Sequence, residues 1–359
     1  MTIWYVYPQW HRVSFTIIAE KHLKYLKKYF RIEEIDELAF PSITPHSKPL
    51  VVIHPYFFIM IRASKQISRK LHRYGGFIGI DVCDSDHISR LAVSTTNYAH
   101  TLFVPSNFCR EVYVRSGVKT NVDVLPHGLD PEFFVKPRNP GQFFGDLLKF
   151  KQRHNLKFIL FYLWHSEYRK GWDLVFKFYN ILRKERKDAI LVLKTATPNG
   201  PAIKQCKQVN CINVAGWLSE DQKIELYDLA DIYPLFSRGG GFELNGLEAL
   251  ARNVVVLAAA KGPWTDYLPG FSLIEYRICG HVLKDNPIHD GRGFEVVVEK
   301  AVDKAHEILD NLDDYRARVR EFVDKHIVNK FSWPRIIDEF AHKLDRIREE
   351  LGLKHHVII

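Results

Sequence analysis

The sequence contains no long apolar run and no targeting segment. None of its apolar stretches approaches the roughly 20 residues that a membrane-spanning helix needs. The longest stretches, at residues 50–61 and 158–164, are typical of buried strands. The first residues enter a strand pattern directly and lack the basic head of a signal peptide. These absences exclude an integral membrane protein and a secreted protein, so we expect an intracellular, cytoplasmic one.

Cysteine is scarce and irregularly placed. The five cysteines are odd in number and scattered along the chain: Cys83, Cys109, Cys206, Cys211 and Cys279. This distribution argues against a disulfide framework. Cys206 and Cys211 also lack a second Cys or His pair at zinc-binding spacing, so we predict no metal site.

The composition is that of a globular protein with a basic surface. The 359 residues suffice for two domains, and 46% are hydrophobic and 26% charged. The net charge of +9 indicates acidic partners such as nucleotides, nucleic acid or an anionic membrane. No nucleic-acid-binding motif accompanies the charge, so we expect no nucleic-acid partner. Residues 20–30 form a predicted helix with lysines beside aromatics; a solvated face is favoured, and peripheral contact at the inner membrane face is the alternative.

Strands and helices alternate through both halves of the chain. The predicted strands are residues 3–7, 50–54, 77–82, 101–105, 122–126, 158–164, 189–194, 212–215, 232–236 and 254–258. The predicted helices are residues 15–30, 61–73, 108–116, 172–185, 219–228, 245–252 and 333–351. This alternation predicts an α/β protein with two doubly wound, Rossmann-like domains that face a cleft.

A segment rich in helix breakers, residues 128–141, separates the two halves. We therefore predict an acceptor-side domain at residues 1–136 and a nucleotide-binding domain at 142–330. Residues 331–359 form a C-terminal helix and tail, and we expect that helix to pack back on the first domain.

A triple-glycine loop is the most informative motif. Ser237-Arg238-Gly239-Gly240-Gly241-Phe242-Glu243 lies between a predicted strand and a predicted helix that begins near Leu244. A glycine loop at a helix N-terminus offers backbone N–H groups and a positive dipole end to an anion. We expect the backbone of residues 240, 241, 242 and 244 to contact the phosphate or sugar of a ligand.

Glu248 lies one helical turn beyond this loop, at the edge of an apolar stripe. A carboxylate so near a core-facing stripe needs a partner, because an unpaired buried charge is costly. Phosphate at the helix start and an acid one turn later suit a nucleoside diphosphate whose ribose hydroxyls donate to Glu248. The alternative is a capped helix with a solvated Glu248.

Several further segments extend the pattern along the chain. They are Val-Pro-Ser-Asn-Phe at 104–108, Pro-His-Gly-Leu-Asp at 126–130, Arg-Lys-Gly-Trp-Asp at 169–173, Gly-Trp-Leu-Ser at 216–219, Tyr227, Ala-Asp at 230–231, and Phe-Ser-Trp at 331–333. Together with the glycine loop they resemble the group-one family of GT-B glycosyltransferases, which are metal-independent, use nucleotide sugars and are usually described as retaining.

The resemblance implies a glycosyltransferase that moves a sugar from a UDP- or GDP-type donor to a glycan, a lipid-linked or a protein acceptor. It assigns Lys170 to the donor diphosphate, and Arg169 is expected to replace a second family cation. Trp217 and Leu218 could flank the base or belong to the core. Asn245 could cap the helix or contact the donor. No metal or other cofactor is expected, because the nucleotide sugar is itself a substrate.

The glycine loop departs from the family at one position. The family carries two glutamates separated by seven residues; Glu248 matches the second, and Gly240 stands where the first is expected. Glu243 lies three residues later, where the family usually has glycine. Glu243 is therefore our candidate catalytic carboxylate, although a site that handles its sugar differently stays open.

The acceptor side is less clearly marked. Asp84 and His87 follow a predicted strand of the first half and are candidates to position or deprotonate an acceptor hydroxyl. The competing interpretation is helix capping by Ser85 or Asp86. Other functions left open are a nucleotide-sugar epimerase, a phosphorylase, and a catalytically silent nucleotide-sugar-binding protein.

Overall fold

The computed structural model describes residues 2–135, 141–165 and 167–353. Part of the predicted linker, residues 136–140, lies outside the described residues. Within them the chain forms two units. Unit 1 comprises Met1–Gly128, Leu283–Gly291 and Lys330–Ile359, and unit 2 comprises Leu129–Val282 and Arg292–Asn329.

The described elements follow each other in the alternation that the sequence predicts. The strands are β1 Thr2–Tyr7, β2 Arg31–Asp36, β3 Leu50–Ile53, β4 Gly76–Ile80, β5 Thr101–Val104, β6 Asn121–Val124, β7 Lys157–Leu163, β8 Ala189–Thr195, β9 Ile212–Ala215, β10 Ile232–Leu235, β11 Val255–Ala259, β12 Leu273–Ile274, β13 Tyr276–His281 and β14 Arg292–Val296. The helices are α1 Ser14–Leu26, α2 Tyr56–Ser68, α3 Arg90–Thr96, α4 Asn107–Arg115, α5 Gly145–Arg153, α6 Glu167–Lys170, α7 Trp172–Glu185, α8 Pro201–Gln208, α9 Glu220–Asp228, α10 Leu244–Ala251, α11 Val298–Asp310, α12 Leu312–Phe322 and α13 Trp333–Glu350.

Unit 1 is built on a six-stranded parallel sheet with the order β2-β1-β3-β4-β5-β6. Its central strands are continuous apolar runs because both faces are covered; every residue of β3 and β5 is buried. The sequence missed β2, whose Arg-Ile-Glu-Glu-Ile-Asp pattern is mostly polar. As an edge strand it leaves these side chains in water, so its apolar signal is weak.

The C-terminal helix α13 belongs to unit 1. Trp333 at its start lies edge-on to His22 of α1, with 5.6 Å between ring centroids. Phe340 meets Phe103 of β5 at 5.0 Å, and Lys343 Nζ lies 2.7 Å from Asp123 Oδ2 of β6. The apolar stripe of α13 therefore covers the sheet of unit 1, which is built from the first part of the chain.

Unit 2 contains a second six-stranded parallel sheet, with the order β12-β11-β10-β7-β8-β9. The direction of strand order reverses between β7 and β10. In doubly wound sheets, ligands bind beyond the carboxyl ends of the strands at this reversal. The prediction of two doubly wound parallel sheets is confirmed. Unit 2 also contains the antiparallel pair β13–β14, which the sequence did not predict.

Two local predictions are wrong. Cys206 and Cys211 form a disulfide, which the scattered cysteines did not suggest. Helix α8 ends at Gln208 and the chain reverses through Asn210, at φ 54°, so the two Cα atoms lie 4.9 Å apart. Capping by Ser85 or Asp86 is also wrong, because Ser89 accepts from the backbone N–H of Ala92 at the start of α3.

No helix of the described ranges combines the length and the apolar character of a membrane span.

Candidate active site

The glycine loop connects β10 to α10 in unit 2, and residues 236–243 are buried. Gly240 has a specific steric role there. A Cβ built on it would lie 2.2 Å from Oε1 and 2.9 Å from Cδ of Glu243. Glycine at position 240 therefore leaves the space that the carboxylate of Glu243 occupies.

Glu243 adopts a backbone conformation that favours glycine. It precedes α10 in the left-handed region, at φ 64° and ψ 66°. Such strain costs about 1–3 kcal/mol in a residue with a side chain and persists only where its surroundings enforce it. The Tyr267 hydroxyl supports this turn by donating to the carbonyl oxygens of Glu243, at 2.7 Å, and Phe242, at 3.2 Å. A glycine would adopt this backbone conformation without that strain.

Arg169 and Lys170 converge on the carboxylate of Glu243. Lys170 Nζ donates to both carboxylate oxygens, at 2.7 and 2.5 Å. Arg169 Nη1 lies 3.3 Å from Oε1 and donates to the carbonyl oxygen of Gly239 at 2.9 Å. Two cations and one carboxylate thus lie against the glycine loop.

This cluster lies at the strand-order reversal of unit 2. Arg169 and Lys170 are on α6, which follows β7, and the glycine loop follows β10. Gly171 allows the close approach: its φ is +69°, and a Cβ there would lie 2.0 Å from the carbonyl oxygen of Phe236. Any other residue would push α6 away from the glycine loop.

Arg238 of the same loop is committed to the structure. Its guanidinium donates to both carboxylate oxygens of Asp173 at 2.7 Å and to Glu295 at 3.1 Å. It also lies 4.0 Å from the ring centroid of Tyr168. Burial opposes the charge, but these hydrogen bonds raise the Arg238 pKa above its ordinary value. This side chain holds the loop to α7 and β14, a role that the sequence did not reveal.

Glu248 is buried and has two side-chain partners on α9. Lys223 Nζ donates to Oε1 at 2.7 Å, and the Tyr227 hydroxyl donates to Oε2 at 2.8 Å. Burial lowers the Lys223 pKa, but the charges of Glu248 and Glu220 and their hydrogen bonds together outweigh burial, so the pKa ends above its ordinary value. The position of Glu248 at the edge of the apolar stripe predicted a partner for its charge. That partner is Lys223, which the sequence analysis missed. Its signal was the i, i+4 spacing of Lys223 and Tyr227 on one helix face.

The remaining residues expected to bind the donor lie around this centre. Leu244 is the first residue of α10, and Asn245 Nδ2 donates to the Tyr227 hydroxyl at 3.2 Å. Phe242 packs against Tyr267, with 5.1 Å between ring centroids. Asn245 thus joins the hydrogen-bonded group that includes Glu248, whereas the side chain of Phe242 is part of the core.

Trp217 forms an exposed aromatic pair with Trp164. The two rings are perpendicular, 5.3 Å apart, and 56% and 47% exposed. They follow β9 and β7, with Leu218 half-buried beside them. Lys194 lies under the pair: its Nζ is 5.4 Å from the Trp164 ring centroid and donates to the carbonyl oxygen of Gly216. Burial lowers its pKa to about 8.

Asp84 and His87 belong to unit 1, beyond β4, and each contacts the segment Leu283–Gly291. His87 Nδ1 lies 2.7 Å from Asp290 Oδ1, and the backbone N–H of Asp84 donates to His289 Nδ1 at 3.3 Å. The sequence analysis missed both partners, because they lie about 200 residues further along the chain and carry no local motif.

Two strand-end histidines lie in unit 1: His54 is buried and His127 is partly buried. His54 and His22 stack with 5.9 Å between ring centroids, and His127 lies 6.2 Å from Trp333. Burial lowers the pKa values of His54 and His127 to about 3, so both rings are neutral. In residues 2–135, 141–165 and 167–353, no group of three or more His, Cys, Asp or Glu side chains is arranged to hold a metal ion.

The comparisons with known proteins agree with this architecture. Residues 146–269 match the family model described as "Glycosyl transferases group 1". The chain is 32% identical to "Uncharacterized protein 356" of Sulfolobus islandicus rod-shaped virus 1 over 357 residues, which are 96% of this chain and 98% of the relative.

Solved structures show the same fold at low sequence identity. One is described as "Trehalose-6-phosphate from E. coli bound with UDP-2-fluoro glucose"; it has a TM-score of 0.68, is 10% identical and covers 96% of this chain and 99% of its own. Sucrose-phosphate synthase from Thermosynechococcus elongatus has a TM-score of 0.60, is 14% identical and covers 84% of this chain and 74% of its own.

The two Rossmann-like units define the GT-B architecture, and the class of protein is a glycosyltransferase enzyme. The chain belongs to the group 1 glycosyl transferase family.

Proposed function

We propose that this protein transfers a sugar from a nucleoside-diphosphate sugar to a glycan, lipid-linked or protein acceptor without a metal ion. The observation that carries the proposal is the convergence of Arg169 and Lys170 on the glycine loop, at the strand-order reversal of unit 2. A site of this kind suits an anion, and the family supplies the sugar-transfer chemistry.

The two cations act on the leaving group. Transfer breaks the bond between the anomeric carbon and the diphosphate oxygen, and the acceptor hydroxyl oxygen forms the new bond to that carbon while its proton passes to the departing diphosphate. Negative charge then develops on the departing diphosphate. Arg169, Lys170 and the N–H groups at the start of α10 stabilise that charge, and such preorganised donors often contribute several kcal/mol to catalysis. This arrangement lets the site work without a divalent metal.

The other donor contacts follow from the same placement. Glu248 accepts hydrogen bonds from the ribose hydroxyls, with Lys223 and Tyr227 holding its carboxylate in place. Trp217, with Trp164 beside it, offers an aromatic surface to the base. Glu243 faces the reacting sugar, because its carboxylate fills the space at position 240 where the family usually has a glutamate.

A UDP-sugar is the first donor to test, since a structurally similar protein is described as bound with UDP-2-fluoro glucose; a GDP-sugar is the second. We propose retention of anomeric configuration, because glycosyl transfer with retention is described for a structurally similar trehalose-6-phosphate synthase. On the acceptor side, His87 with Asp290 is the proposed acceptor-hydroxyl contact, and Asp84 is a second candidate. A cytoplasmic location belongs to this proposal.

The test is transfer and hydrolysis of a panel of UDP- and GDP-sugars with and without EDTA, with NMR of the product to assign the anomer. We expect nucleoside diphosphate release that resists EDTA and is lost in Lys170→Ala. Lys177→Ala is the matched control, because Lys177 is an exposed lysine of the same unit that pairs with Glu299. Indifference of the wild type to every donor in both binding and turnover would overturn the proposal.

A further inference from the structure

Helix α2 of unit 1 presents apolar and basic side chains to solvent on one face. Its inner face is buried through residues such as Ile59, Met60 and Ala63. Its outer face carries Phe58 and Ile61, each 37% exposed. A surface helix normally keeps such large apolar residues on its buried face, so this outer stripe is unusual.

Further exposed apolar residues lie on the loops that follow β1 and β2. Trp10, after β1, is 60% exposed and Leu38, after β2, is 56% exposed. Glu37, which precedes Leu38 in the chain, links Trp10 to α2, because it accepts from Trp10 Nε1 at 3.1 Å and also pairs with Arg62. We call Trp10, Leu38, Phe58 and Ile61 the apolar cluster.

Positive charge continues directly from the apolar cluster. Residues 56–73 contain five Lys or Arg residues and no Asp or Glu. Arg62, Lys65 and Arg69 follow Phe58 at helical spacing on the exposed face. Glu37, the acid that reaches this helix from β2, is already paired with Arg62. The surface thus joins exposed aromatic and aliphatic groups to an excess of cations.

We propose that this surface docks on an anionic lipid membrane. The cations would lie among lipid phosphates, and Phe58, Ile61 and Trp10 would enter the boundary between headgroups and acyl chains. Interfacial helices bind by this combination of buried apolar area and attraction to anionic lipid. Indole rings favour that boundary because they have an apolar body and a polar N–H.

Helix α1 is the natural comparison, because it is also basic: residues 14–28 contain four Lys and one Glu. Its apolar side is buried through residues such as Leu23 and Leu26, and it packs against α13. Lys24 and Lys28 lie over the Tyr25 ring, at 5.0 and 5.2 Å from its centroid. This helix therefore offers charge without an exposed apolar stripe, which is the solvated face that the sequence favoured.

The experiment is co-sedimentation of the full chain with phosphatidylcholine vesicles that contain or lack phosphatidylglycerol. We expect binding only to the anionic vesicles. The pair Lys65→Gln and Arg69→Gln should weaken binding by roughly 25-fold, about fivefold per cation. The pair Phe58→Ser and Ile61→Ser should weaken it by about tenfold. The control pair Lys24→Gln and Lys28→Gln on α1 should change it by less than about threefold.

Each result bears on the proposal independently of sugar transfer. Thermal unfolding of every variant confirms that it is folded. The proposal is overturned if the wild type ignores anionic vesicles, or if the α1 pair loses as much binding as the α2 basic pair. It is also overturned if the Phe58 and Ile61 variant binds vesicles normally while the basic variants lose binding to vesicles and to duplex DNA alike. That pattern would mark a general polyanion surface.

Discussion

The carboxylate of Glu243 accepts hydrogen bonds from Arg169 and Lys170, the two cations that we assign to the donor diphosphate. Its oxygens lie 2.7 and 2.5 Å from Lys170 Nζ, and one lies 3.3 Å from Arg169 Nη1. A diphosphate held by the same cations would come within about 6 Å of this carboxylate. At an effective dielectric constant near 20, repulsion between two unit charges at that separation is about 3 kcal/mol. Lys170 is partly exposed, so solvent screens this repulsion. We therefore use about 1.5 kcal/mol for the repulsion between the carboxylate and the diphosphate.

We therefore expect Glu243→Gln to bind uridine or guanosine diphosphate roughly tenfold more tightly than the wild type. The same variant should turn over the sugar donor more slowly, because the carboxylate facing the sugar is gone. Isothermal titration calorimetry at fixed ionic strength measures the first effect, and a diphosphate-release assay measures the second.

The matched control is Glu225→Gln. Glu225 is also a buried carboxylate of unit 2, but it accepts from the backbone N–H groups of Phe143 and Phe144. Its loss should reduce thermal stability without tightening diphosphate binding. Unchanged or weaker diphosphate binding by Glu243→Gln would refute the reasoning, because the carboxylate would then not compete with the phosphate groups.

Three further predictions follow from the contacts. Gly240→Ala should drive the Glu243 carboxylate out of its place, so that diphosphate affinity rises and turnover falls as in Glu243→Gln; calorimetry that shows wild-type affinity would contradict this. Glu248→Ala should lower the free energy of unfolding by about 2 kcal/mol, since it leaves Lys223 with the exposed Glu220 as its acidic partner and removes the acceptor of the Tyr227 hydroxyl. In urea titrations Glu248→Gln should lose less than half as much stability, and equal losses in the two variants would argue against the pairing. The neutral His54 and His127 titrate near pH 3 when folded and near 6.5 when unfolded, so stability falls as pH drops from about 6.5 towards 3. At pH 5 each of the two histidines lowers the free energy of unfolding by about 2 kcal/mol. The melting temperature of His127→Asn should depend less on pH than that of the wild type, and an unchanged dependence would count against the lowered pKa of His127.

Much of the fold was predictable because its information is local. Apolar runs in β3, β5 and β10 identify buried parallel strands, and helix α7 begins and ends where the sequence places it. Ser219 and Gln222 form a capping box at the start of α9, which is likewise a local feature of the sequence. Where the local signal is weak, as in the polar edge strand β2, sequence reasoning failed.

The side-chain pairs of the candidate site could not be predicted from local sequence signals. His87 and Asp290 lie 203 residues apart, and Lys223 and Glu248 lie on different helices. The disulfide between Cys206 and Cys211 depends on how the chain turns after α8. Each of these contacts is set by the packing of elements, for which no residue spacing is diagnostic.

The sequence alone determined the alternation of strands and helices, the glycine loop and the residues expected to surround a nucleotide sugar, because periodicity and backbone preference act over a few neighbouring residues. Only the tertiary structure decided that Gly240 makes room for Glu243, that Arg238 is structural, and that α2, not α1, exposes apolar groups among its cations. Those outcomes depend on which surfaces meet, and a surface becomes buried or exposed only when the sheets and helices have assembled.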